Sequence, residues 1–182
     1  MNAFPFPSKE LAFEELQNDI MYKKLLRSGA DPKAVLEKAW ETGAQAARDF
    51  YEETGGETDF RKIARRKGLK LERIYKDNVV AGLRYFAEYH TAQKTMYLYV
   101  DSIKKWAGKN RLSEGAAENM IIAHEYFHHL ENVKLGLTSK QVSLPMFQLG
   151  PIKIGRTGMR ALSEAGAHAF VRSYFEAAGL LH

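Results

Sequence analysis

The chain contains no cysteine, so disulfides, Cys-bearing zinc fingers and thiol nucleophiles are excluded. Any bound metal must then be held by His, Asp or Glu. No uninterrupted apolar stretch approaches the roughly 20 residues that a membrane-spanning helix needs. The N-terminal run MNAFPFPSKELAFEELQND has no basic start followed by an apolar core, as an export signal would. The expectation is a soluble cytoplasmic protein with no membrane partner. Internal repeats, low-complexity tracts and interdomain linkers are also lacking.

The chain has 182 residues, 45% of them hydrophobic, enough for one domain with a sizeable core spanning 1–182. A net charge of +5 is concentrated in places such as RKIARRKGLK, residues 61–70. No aromatic residues interleave those charges, as recognition of single-stranded nucleic acid requires. The segment therefore reads as a solvated helix face, not as a surface for direct nucleic-acid binding. No feature assigns an oligomeric state.

Residues 1–57 read as a helical N-terminal extension. Ser8 caps a helix through about Leu26, and Asp31-Pro32 opens a second that runs to Gly55-Gly56. A short helix from Thr58 to Gly68 feeds a strand, LKLERI. The blocks AGLRYFAEYH and KTMYLYVDSI, separated by TAQ, predict a hairpin. Ser113 opens a helix to about Leu135, stopped by Gly136, and a last helix spans about Thr157 to Ala178. Between them, residues 137–157 read as a long loop with two prolines, a candidate lid over a site.

The stretch IIAHEYFHHLEN, residues 121–132, holds three of the six histidines. His124, Glu125 and His128 form H-E-x-x-H. On a helix, positions i and i+4 share a face, so both imidazoles reach one ion, while the glutamate, about 100° away from its neighbour, is placed as a general base. Apolar residues flank the motif on more than one face, implying burial. The alternative, two core histidines with hydrogen-bond partners of their own, requires two separate acceptors one turn apart.

A catalytic zinc site typically has three protein ligands and an open position. RALSEAGAHAFVRSYF supplies the best third: Glu164 sits among small residues that let two helices approach closely. His168, one turn on, is a candidate partner for a ligand or a substitute for Glu164. Glu131 is a weaker competitor, and His129 points away from His128. Tyr126, His168, Arg156 and Arg160 are candidates to stabilise an oxyanion.

The order of these parts resembles the ImmA/IrrE family of zinc metallopeptidases over roughly residues 58–175. TDFRKIARRKGLKLERI is similar to that family's helix and strand, KTMYLYVDSI to the strand before the active-site helix, and HEYFH to its motif. EAGAHAF matches its E-x-x-A-[N/D]-x-F pattern, with Glu164, Ala167 and Phe170 in the fixed places. The chain departs from the pattern at Phe127, where glycine is usual, at His168, and in lacking Leu-Leu-Met-Pro after Phe170.

The resemblance implies an α+β, zincin-like metallopeptidase domain, with several helices around a small sheet. It also implies Zn²⁺ on His124, His128 and Glu164, and a protein or peptide substrate such as a DNA-binding repressor. Strand 94–101, if at the sheet edge, would pair with an extended peptide. The alternative is a metal-containing regulatory module without turnover that antagonises a repressor or binds nucleic acid. Retention of Glu125 favours the enzyme, since a structural site needs no base beside its ligands.

Overall fold

The computed structural model describes residues 4–149 and 152–180. Helix α1 (Lys9–Asn18) is capped by Ser8, as expected, but stops before Leu26. Asp19 takes an extended ψ of 135° and its Oδ1 accepts the Met21 N–H at 2.7 Å. A short Asp side chain competing for a backbone donor makes a turn there, and α2 (Tyr22–Arg27) follows as a separate element. Asp31 caps α3 (Pro32–Glu53), accepting the Lys33 N–H at 2.9 Å, with Pro32 in the first turn. Asp59, not Thr58, caps α4 (Phe60–Arg66).

Strand β1 (Lys70–Ile74) follows, and then the first aromatic block divides in two. Strands β2 (Asn78–Val80) and β3 (Leu83–Tyr85) form a small hairpin, while β4 (Ala87–His90) pairs antiparallel with β5 (Thr95–Tyr99). The second block leaves the strand at Val100, where α5 (Val100–Asn110) begins. The three-stranded sheet has the order β1-β5-β4, with β1 parallel to β5. Strand β5 is thus central, with Met96 and Leu98 fully buried, and the edges of the sheet are β1 and β4. A central strand has no main-chain groups left for a peptide, so β5 cannot take that role.

Helix α6 (Glu114–Leu130), capped by Ser113, carries the H-E-x-x-H motif and continues through a wider π turn, Glu131–Leu135, to Gly136. The expected loop 137–157 is mostly structured. A 3₁₀ turn (Thr138–Gln141) leads into an antiparallel hairpin of β6 (Leu144–Leu149) and β7 (Ile152–Thr157). Its base is tied down: Leu144 is 1% exposed, and Lys24 Nζ donates to the carbonyls of Pro145 and Met146. Thr157 pairs with Leu144 as the last residue of β7, so α7 (Arg160–Ala177) starts three residues later than expected. Residues 150 and 151 of the anticipated lid lie outside the described residues.

Helix α3 packs into the core. Its Ala46, Ala47 and Phe50 join α4, α6 and α7 in one apolar cluster, while Leu36 and Ala39 join Leu144, Leu162 and Ala165 in another. Gly43 and Gly166 set the closest approach between α3 and α7. A Cβ on Gly43 would stand 1.9 Å from the Gly166 carbonyl oxygen, and one on Gly166 would stand 2.8 Å from the Phe127 ring. The bulk of Phe127 on α6 is accommodated by the missing side chain on α7.

Four of the six basic side chains in residues 61–70 stand beside acidic ones. Arg61 pairs with Asp59, Lys62 and Arg66 with Glu57, and Lys67 with Glu53. Among the described residues no helix is long and apolar enough to cross a membrane.

Candidate metal centre

Helix α6 presents His124 and His128 one turn apart, and α7 crosses it to deliver Glu164. The two Nε2 atoms are 3.3 Å apart, and Glu164 Oε2 lies 3.2 Å from His124 Nε2 and 4.0 Å from His128 Nε2. Ligands of a tetrahedral ion at ~2.0–2.1 Å are spaced ~3.3 Å from one another, so this triangle fits such an ion with little adjustment. Two imidazole nitrogens and a carboxylate oxygen pointed at one space call for a proton or a cation between them. Among the described residues these three form the one group of His, Asp or Glu side chains so converged.

The electrostatics follow from burial and neighbours. Desolvation lowers His124 to about 4, against the pull of Glu164, so it is a neutral donor at pH 7. Burial would raise Glu164, yet its hydrogen bond to His124 and the nearby His128 and Arg160 hold it well below the usual carboxylate range. Burial likewise opposes charge on His128, but Glu131, Glu125 and Glu164 outweigh it and lift it to about 9. Desolvation pushes Glu125 up to about 7, with His128 acting in the opposite direction. A buried carboxyl beside the shared space is placed to accept and return a proton.

Glu131 proves to be the support of His128. It is 2% exposed, its Oε2 lies 2.9 Å from His128 Nδ1, and Ser163 Oγ donates to the same oxygen. Its Oε1 accepts the Thr138 N–H at 2.8 Å. A carboxylate on Nδ1 fixes the ring and turns Nε2 toward the shared space. The i, i+3 spacing in HHLE was the available signal, but the spacing alone does not say on which side of the ring the carboxylate lands.

The remaining candidates separate. Arg160 Nε donates to Glu164 Oε1 at 3.1 Å and faces the cleft. His168 packs beside His124, ring centroids 5.3 Å apart, but its Nε2 faces Glu15 Oε2 at 3.6 Å and it makes no hydrogen bond to Glu164. Two candidates are overturned. Tyr126 is 1% exposed and stacks on Phe50, because two residues beyond His124 a helix has turned about 200° to the opposite face. Arg156 stands in β7 with its guanidinium on Ser143 Oγ at 2.7 Å, away from the cleft. His129 points elsewhere too, with its Nδ1 2.8 Å from the Tyr89 hydroxyl.

A cleft of about 1030 Å³ opens over the trio and over Glu125. Strand β4 forms one wall; Phe6, Phe86, Trp106 and Ile121 line the His124 end. The Tyr99 N–H bonds the carbonyl of Phe86, so alternation along β4 directs the main-chain groups of Ala87 and Tyr89 away from β5. The outward-facing Tyr89 N–H favours the ionised form of Glu125, against the larger effect of burial. Nothing in the sequence marked Phe6 or β4 as neighbours of the motif.

No protein-family profile matches the chain, and neither curated proteins nor solved structures yield a match.

Proposed function

We propose that the chain is a zinc-dependent metallo-endopeptidase with a zincin-like fold of the ImmA/IrrE type. The observation that carries this reading is the convergence of His124, His128 and Glu164 beside Glu125 in a cleft walled by a free strand edge. His124, His128 and Glu164 would hold the ion. Zinc, when bound in such a site, supplies a Lewis acid that acidifies water and polarises a carbonyl.

The chain's own residues do the rest. An extended peptide lies along β4 and bonds the outward main-chain groups of Ala87, which fixes its register over the cleft. Glu125, held between the ligand pair and the Tyr89 N–H, takes the proton of the attacking water and returns it to the leaving amine. Arg160, hydrogen-bonded to Glu164 Oε1, orients that carboxylate. The substrate class that the family likeness suggests is a DNA-binding repressor.

Glu125→Gln tests the enzyme against a regulatory module without turnover. The variant should retain one zinc per chain and its fold while hydrolysis of repressor-derived substrates drops by about 10²- to 10⁴-fold. If neither the unmodified protein nor the variant produces fragments, yet both release a repressor from DNA equally well, the non-catalytic reading replaces this one.

A further inference from the structure

Each imidazole of a ligand pair must have its ring plane held if Nε2 is to stay on a shared ion, and an acceptor on Nδ1 is the usual means. His128 has Glu131. Among the described residues His124 has no such acceptor: its Nδ1 is buried, below 1 Å² of accessible area, and has no hydrogen-bond partner there. Against its ring lies Phe6, stacked with centroids 5.8 Å and planes 23° apart. The ring of His168, whose Nδ1 is likewise buried without a partner, stands 5.8 Å from Phe6 and 5.3 Å from His124. His124 is held among rings.

Phe6 is itself anchored. Its edge meets Trp106 at 5.4 Å, its carbonyl accepts Arg172 Nη1 at 2.9 Å, and the same guanidinium covers Phe4 at 5.1 Å. Pro5 and Pro7 on either side restrict the backbone of this strap. At 7% exposure, and packed into the main core cluster, Phe6 is a fixed wall of the cleft; a detachable plug would not be built into the core.

We propose that Phe6 is a positioning residue for the metal ligand His124. Its ring, strapped down by Arg172, holds the imidazole plane and excludes water from the Nδ1 side, as Glu131 holds His128 by a hydrogen bond. The proposal rests on the reading of the site as a metal centre. It brings the N-terminal segment, which lies outside the residues that resemble the family, into that centre.

The experiment compares the full-length protein with Phe6→Ala, Phe6→Leu and Phe6→Tyr, and with Leu25→Ala, a fully buried site in the other core cluster. The readouts are the rate of zinc loss to a chelator, the visible spectrum of the cobalt(II)-substituted protein and the urea midpoint. Phe6→Ala should release zinc about tenfold faster or more and shift the cobalt bands. Phe6→Leu, which fills the space without a flat ring, should do so to a lesser degree, and Phe6→Tyr should restore both readouts. Leu25→Ala should lower the urea midpoint and leave zinc release unchanged.

Unaltered zinc release and cobalt bands in Phe6→Ala overturn the proposal. Should that variant not fold, the same result in Phe6→Leu overturns it. Equal acceleration by Leu25→Ala also overturns it, since global stability would then be the cause. An unmodified protein that takes up neither zinc nor cobalt overturns the metal reading itself, and is distinguished from these outcomes by needing no variant.

Discussion

Glu131 Oε2 sits 2.9 Å from His128 Nδ1, on the side of the ring opposite the nitrogen that faces Glu164. A residue three positions past the motif therefore orients one of its histidines. Glu131→Gln keeps an oxygen for the Thr138 N–H but removes the charge. Zinc affinity, measured by competition with a chelator, should fall about 10- to 100-fold with the fold retained. Glu131→Ala should in addition cost about 1–3 kcal/mol of stability, because the buried Thr138 N–H loses its acceptor.

Glu164→Ala should weaken zinc binding more than Glu131→Gln does, since it removes a proposed ligand and not its support. His168→Ala should leave the stoichiometry at one zinc per chain, because the His168 ring stands outside the converged trio. Elemental analysis after gel filtration checks both. A zinc-free His168→Ala beside a zinc-loaded Glu164→Ala would exchange the two roles.

The approach of α3 to α7 makes a packing prediction that no site argument touches. Gly43→Ala sets a methyl against backbone and should destabilise by about 1–3 kcal/mol or more, read as a lower urea midpoint. Gly166→Ala meets the Phe127 ring instead, which a second change can relieve. The double variant Gly166→Ala with Phe127→Leu should be less destabilised than the sum of its parts. Strict additivity would mean that the two residues do not share the space.

Asp77 joins the β2–β3 hairpin to α5, bonding Arg84, Lys105 and Ser102. Arg84 first, then Lys105, hold its carboxyl far below its ordinary value of 3.8. A depressed folded value means stability that is present above about pH 4 and is lost as pH falls toward the folded value. Asp77→Asn should thus be less stable than the unmodified protein at pH ~7, and the gap should narrow steadily below pH ~4. Parallel urea titrations across that range measure it. A gap that is constant down to pH ~2 would remove Asp77 from the acid response.

The H-E-x-x-H helix, its Ser113 cap, the helix from Asp31-Pro32 and the small-residue surface around Glu164 were legible in the chain because each is written in near-neighbour spacing. A cap is a contact three residues long, and a ligand pair on one helix is a contact of four. The same spacing places Tyr126 opposite His124, and a stricter use of it would have removed that residue from the candidates. Asp19 shows the limit of periodicity, since one side chain taking a backbone donor was enough to divide the first helix.

What the tertiary structure decided are the contacts made by chain return. Whether 94–101 is an edge or a centre depended on β1 arriving parallel to it from across a crossover, and strand composition reports burial without naming partners. Residues 144–149 and 152–157 pair as antiparallel strands, and the start of the first is tied to Lys24, more than a hundred positions away. Phe6 meets His124 through contacts distant in sequence, with Arg172 of α7 on its carbonyl and Trp106 of α5 against its ring. The sequence by itself determined which side chains could bind an ion together. The packing of α6 against α7, with Phe127 seated over Gly166, decided where the third would stand, because the distance between two helices is set by the bulk of both.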